Sequence, residues 1–118
     1  MSHTMNIKME LHDLTILERA CLRMNAKFVS YGNVKLFGGS VDGASVHLPG
    51  WQYPIVVRND GTVSYDNYNG HWGNIDKLHE LEAVYGLEKA TQEASLKGYL
   101  TEEIVEENEL VLRITIPE

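Results

Sequence analysis

Cysteine is almost missing from this chain: Cys21 is the only one in 118 residues. An internal disulfide and a multi-cysteine zinc site are thereby excluded, and the usage suits a reducing compartment. Basic residues are also scarce, ten Lys and Arg against seventeen Asp and Glu, for a formal net charge of −7. A chain of that sign repels phosphate backbones, so binding to polymeric nucleic acid through a basic face is disfavoured. A pocket for one small anion survives the objection, because local donors decide there. Nothing approaches eighteen continuous apolar residues, so no membrane span is expected. No positively charged start leads into an apolar run, so no secretory signal is expected either, and a cytoplasmic location is.

What is present is ordinary in bulk. Hydrophobic content of 43% and charged content of 23% argue against disorder, and the length suits one domain, residues 1–118, with its own core. The unusual stretch is the middle, His47 to Asn74, which holds both tryptophans and two of the three prolines. Its second half, Tyr65-Asp66-Asn67-Tyr68-Asn69-Gly70-His71-Trp72-Gly73, is polar, aromatic and punctuated by glycine. A loop of that composition either caps a structure or binds something.

Periodicity places this stretch. Residues Met5 to Leu11 alternate as a half-buried strand. Asp13 is a candidate N-cap, and Leu14, Leu17, Cys21 and Met24 form the apolar stripe of a helix ending near Asn25. From Ala26 the period becomes two, in runs 26–31, 34–41 and 44–48 separated by Gly32-Asn33 and Asp42-Gly43, dipeptides that favour tight hairpin turns. Asp60-Gly61 joins two further runs, and Gly38-Gly39 suggests a bulge. A second helix runs from Asn74 or Asp76 to about Lys97, with a kink at Gly86 allowed. A hairpin turning at Glu107-Asn108-Glu109 closes the chain. The expectation is an α+β fold: an antiparallel sheet of hairpin-connected strands with two helices packed on one face, in the order β-α-β-β-β-β-β-α-β-β, its first and last strands central.

The residues admit several chemistries. Trp51, Tyr53, Tyr65, Tyr68 and Trp72 can form a stacking wall, with Asp66, Asn67, Asn69, Gln52 and His71 supplying polar contacts; rings stack and amides read edges, which suits a small planar ligand such as a nucleobase. The structural alternative is that the same aromatics plug the open end of the sheet. His47, His71 and His79 with Asp66 lack metal-ligand spacing, so no metal is expected. Cys21 lies on an apolar stripe, where an inert thiol is expected. No nucleophile elbow, P-loop or dinucleotide fingerprint occurs, so no catalytic residue and no cofactor are assigned, and a hydrolase built on Asp66 and His71 is the weakest reading. The glutamates at 102, 103, 106, 107 and 109 read as a solvated edge or as a docking face for a basic partner.

Four stretches resemble the family built on a hypothetical chloroplast reading frame, a domain of unknown function found in plastids, cyanobacteria, other bacteria and phages. They are Met1-Ser2-His3, Leu48-Pro49-Gly50-Trp51-Gln52-Tyr53-Pro54, the segment Tyr65 to Gly73, and the later Leu78, Tyr85, Glu88-Lys89-Ala90, Glu93-Ala94 and Gly98-Tyr99. One departure is Glu107-Asn108-Glu109, where bacterial relatives often carry Asp-Gly-Ser. The resemblance implies no catalytic reaction. It does imply an accessory role, since relatives are often encoded near ring-forming ATPases. The expectation is a non-enzymatic binding protein for a nucleotide-like ligand, of which a phage protein sequestering a nucleotide signal is one form. The alternative is an accessory subunit that docks on a partner protein. A homo-oligomer is expected in either case, because the aromatic loop would be awkward on a lone monomer.

Overall fold

A computed structural model describes residues 5–8, 11 and 13–117. The elements are β1 (Met5–Lys8), α1 (Leu14–Met24), β2 (Lys27–Leu36), β3 (Gly39–His47), β4 (Ile55–Val57), β5 (Thr62–Tyr65), a 3₁₀ turn (Tyr68–Gly70), α2 (Ile75–Leu96), β6 (Leu100–Glu106) and β7 (Glu109–Thr115). This is the expected α+β class, built from antiparallel strands and two helices. The chain divides into two compact units, one ending at Tyr85 and one beginning at Gly86.

In the first unit the sheet order is β1-β5-β4-β3-β2, with every neighbour antiparallel. Alternate residues Ala44 and Val46, Ile55 and Val57, and Val63 and Tyr65 bury one face of the sheet. They share a core with Ile16, Leu17, Ala20 and Cys21 of α1 and with Leu78, Leu81 and Tyr85 of α2. Val56 and Ser64, cross-strand partners on the other face, are buried too. The start of α1 is fixed by Asp13, whose carboxylate accepts hydrogen bonds from the Thr15 and Ile16 amides at 3.2 and 3.3 Å, an N-cap worth about 1 kcal/mol. The Asp13 amide donates to the Tyr85 hydroxyl at 3.1 Å, tying α1 to α2. Asn25 ends α1 in the left-handed region, φ 56°. The buried stripe of α1 is rotated from the expected one, since Leu14 is exposed and Ile16 is not.

The strand count differs from expectation: four strands, not five, lie between the helices. Gly32-Asn33 and Asp42-Gly43 are not turns. They face each other within one long hairpin, Gly32 opposite Gly43 and Asn33 opposite Asp42, and the Asn33 side-chain amide donates to the Asp42 carboxylate at 2.8 Å. The chain reverses instead at Phe37-Gly38, overlapping the Gly38-Gly39 pair where a bulge was expected. A glycine at 43 answers a different need, because a Cβ there would strike the Val57 carbonyl oxygen on the adjacent strand. The terminal strands are not central either. β1 is an edge strand, and β7 belongs to a separate two-stranded sheet; β1 is four residues long, and the expected residues Met9 and Glu10 lie outside the described ones.

The second unit contains the end of α2 and the β6–β7 hairpin. α2 continues through Gly86. It ends where Gly98 takes φ 77° and the Tyr99 amide returns to the Ala94 carbonyl at 2.9 Å. Glu107 and Asn108 both have positive φ, 49° and 66°, the conformation a two-residue hairpin turn requires.

Candidate functional site

The aromatic segment follows from two short loops laid side by side. Pro49-Gly50 turns the chain after β3, with Gly50 at φ 78° and the Trp51 amide donating to the Leu48 carbonyl at 3.1 Å. The second loop follows β5. The two are joined where the Gln52 amide donates to the Trp72 carbonyl at 2.8 Å.

Beneath this junction lies a buried half. Trp51 is inside the core, edge-on to Tyr65 with ring centroids 5.9 Å apart, and its indole N–H donates to the Asn74 carbonyl at 3.0 Å. Gly73 lies under that indole, and a Cβ there would stand 2.6 Å from ring atoms Cγ and Cε2. The Trp51 carbonyl is engaged by His47 Nε2 at 2.6 Å. Asp66 is fully buried, and its carboxylate accepts from the Tyr68 amide at 3.2 Å. Asn67 holds the loop from inside: its carbonyl accepts from the Gly70 and Trp72 amides, both at 3.0 Å, and its side-chain amide donates to the Gly73 carbonyl at 3.3 Å. Of the nine expected site residues, Trp51, Tyr65 and Asp66 are thus framework.

Above it lies an outward half. Tyr68 stacks on Trp72 with centroids 4.9 Å apart and planes 25° apart. Tyr53 meets the same indole edge-on at 5.3 Å, and His71 stands 5.0 Å from Tyr68. Phe37, from the tip of the β2–β3 hairpin, joins at 5.1 Å from Trp72. Phe37 is 50% exposed and Tyr68 38%. Tyr65, Asn67, Asn69, Gly70, Asn74 and Ile75 line an open hollow of about 600 Å³, to which none of the outward rings contributes.

The backbone that presents this half is strained. Tyr68, Asn69 and Gly70 are consecutive left-handed residues, with φ of 45°, 52° and 96°. Asn and Gly accept that region; a tyrosine there costs about 1–2 kcal/mol. Sequence reasoning missed Phe37 altogether, and took Asn74 as the end of the loop and a helix cap without assigning it to the site. Phe37 could have been found only by placing the turn correctly, since it directly precedes Gly38-Gly39.

Burial, with Glu18 adding to it, pushes the Cys21 thiol up to about 11, so it stays protonated. Asp60 is held below the usual carboxylate range, chiefly by its hydrogen bonds to Thr62. Among the described residues no three His, Cys, Asp or Glu side chains converge as metal ligands, and no helix is long and apolar enough to cross a membrane. Comparison with family models, with curated proteins and with solved structures gave no match.

Proposed function

We propose that this protein is a non-enzymatic binding protein of the cytosol, and that the outward half of the aromatic segment takes a small planar polar ligand of nucleotide type. The observation that carries the reading is Tyr68. A bulky residue kept at positive φ, with hydrogen bonds on both sides fixing it there, is a strained feature of the kind that clusters at binding sites. That conformation presents a ring stacked on Trp72, and its chain neighbours Asn67 and Asn69 line the hollow. A ligand base would extend the stack from Tyr68 and exchange hydrogen bonds with the amides.

Native mass spectrometry of the protein from its own cells tests this. The expected result is an added mass of a few hundred daltons that is lost on denaturation and absent from a folded Tyr68→Ala variant. A variant that keeps the mass would overturn the assignment.

The second reading is an accessory subunit that docks on another protein. The exposed Phe37 ring and the apolar side chains of the last hairpin, among them Leu100 and Val105, favour it. Stoichiometric co-purification of a protein, with no small molecule retained, would select this reading.

A further inference from the structure

The β2–β3 hairpin carries a second feature, on residues that take no part in the aromatic segment. Val29 pairs with Ser45 and Gly32 with Gly43, so two residues of β2, Ser30 and Tyr31, stand opposite one of β3, Ala44. This is a β-bulge, a device that re-aims side chains and leaves a backbone group outside the ladder. Ser30, Tyr31 and Ala44 all line one hollow of about 360 Å³, together with Leu14, Val57, Arg58 and Asn59.

Arg58 is the anomaly in that hollow. Its backbone is pinned by the β4–β5 turn, the amide donating to Thr62 at 2.8 Å and the carbonyl accepting from Gly61 at 3.0 Å. Its side chain is half-buried, and the buried Nε–H has no hydrogen-bond partner. Asp60, whose carboxyl the Arg58 charge helps to hold low, is fully exposed and accepts from the Thr62 amide; Asp42 shares a second hollow with both. A buried donor on a charged group costs free energy unless an acceptor satisfies it. A guanidinium presents its donors as a fork that matches a carboxylate or phosphate edge.

We propose that this bulge-lined hollow is an anion site, taking the phosphate or carboxylate end of a small molecule on Arg58, with the Ser30 hydroxyl and the Asn59 amide as further donors. Tyr31, 62% exposed at the rim, offers a ring against which the remainder of the ligand lies. The net charge of −7 does not prevent this, because short-range donors outweigh a screened distant field.

The test titrates inorganic phosphate, and separately acetate, into the full chain at constant ionic strength set with sodium chloride. Two signals are followed, the Arg58 Nε–H resonance and the melting temperature. A saturable shift of that resonance, with a rise in melting temperature, is expected for at least one anion, and the stronger of the two identifies the source. Arg58→Gln should abolish the thermal response, and Arg58→Lys should weaken binding about tenfold, since an ammonium lacks the fork. A resonance that responds no differently from the chloride control overturns the proposal, and so does an Arg58→Gln protein that responds like the wild type. Should that variant fail to fold, the wild-type resonance alone decides.

Discussion

Trp51 and Trp72 lie in the same polar, glycine-bounded stretch and end in opposite situations. Trp51 is buried, with Gly73 fitted beneath its ring and its N–H spent on Asn74. Trp72 is half-buried and gathers Phe37, Tyr53 and Tyr68 around it on the outside. The difference shows that composition does not separate a plug from a presented surface. Both are present, one built on the other. The buried half explains why the loop has a single shape, and the outward half is what that shape holds out to solvent.

Substitutions can break this comparison at graded cost. A large effect is expected at the contact between the two halves. Gly73→Ala forces a methyl into the Trp51 ring and should destabilise by about 1–3 kcal/mol in urea unfolding, as overpacking does. Cys21, in the same core as Trp51, gives a pH test. Its thiol is raised from 9.0 to about 11 in the folded state, so the neutral form is favoured by folding. That contribution is whole below pH 9 and lost as pH rises toward 11. The urea midpoint should fall across that window, and Cys21→Ala should flatten the fall. On the outside, Phe37→Ala should cost about 1 kcal/mol, the scale of one aromatic pair, and shift the environment of Trp72 but not of Trp51 in fluorescence. The smallest effect belongs to Tyr68→Gly. Relief of the left-handed strain offsets the lost stacking, leaving stability within about 1 kcal/mol of wild type, while the retained ligand mass disappears.

Local rules made much of the fold legible. The Asp13 cap, the Asn25 end of α1, the Asp60-Gly61 turn and the Gly98 stop are each set by side chains within a few residues of the backbone they govern. The long hairpin was not legible, because Gly32-Asn33 and Asp42-Gly43 have the composition of turns and yet pair with each other across ten- and nine-residue strands. Register is a relation between distant residues, and dipeptide chemistry does not carry it. The central placement expected for the first and last strands failed for the same reason, since alternation gives a strand's faces and not its neighbours. The aromatic segment was legible as a place but not as two layers. Nothing local says that Gly73 lies under Trp51 or that Phe37, more than thirty positions upstream, meets Trp72.

The most direct measurement sets two unfolding free energies side by side, for Trp51→Ala and for Tyr68→Ala. Division of the segment into a structural half and a presented half predicts a loss of about 3–5 kcal/mol for the first, as for any large buried aromatic, and under about 1.5 kcal/mol for the second, the scale of one exposed aromatic pair. Equal and large losses would contradict it, making the outward rings part of the core and leaving no surface there to bind a ligand.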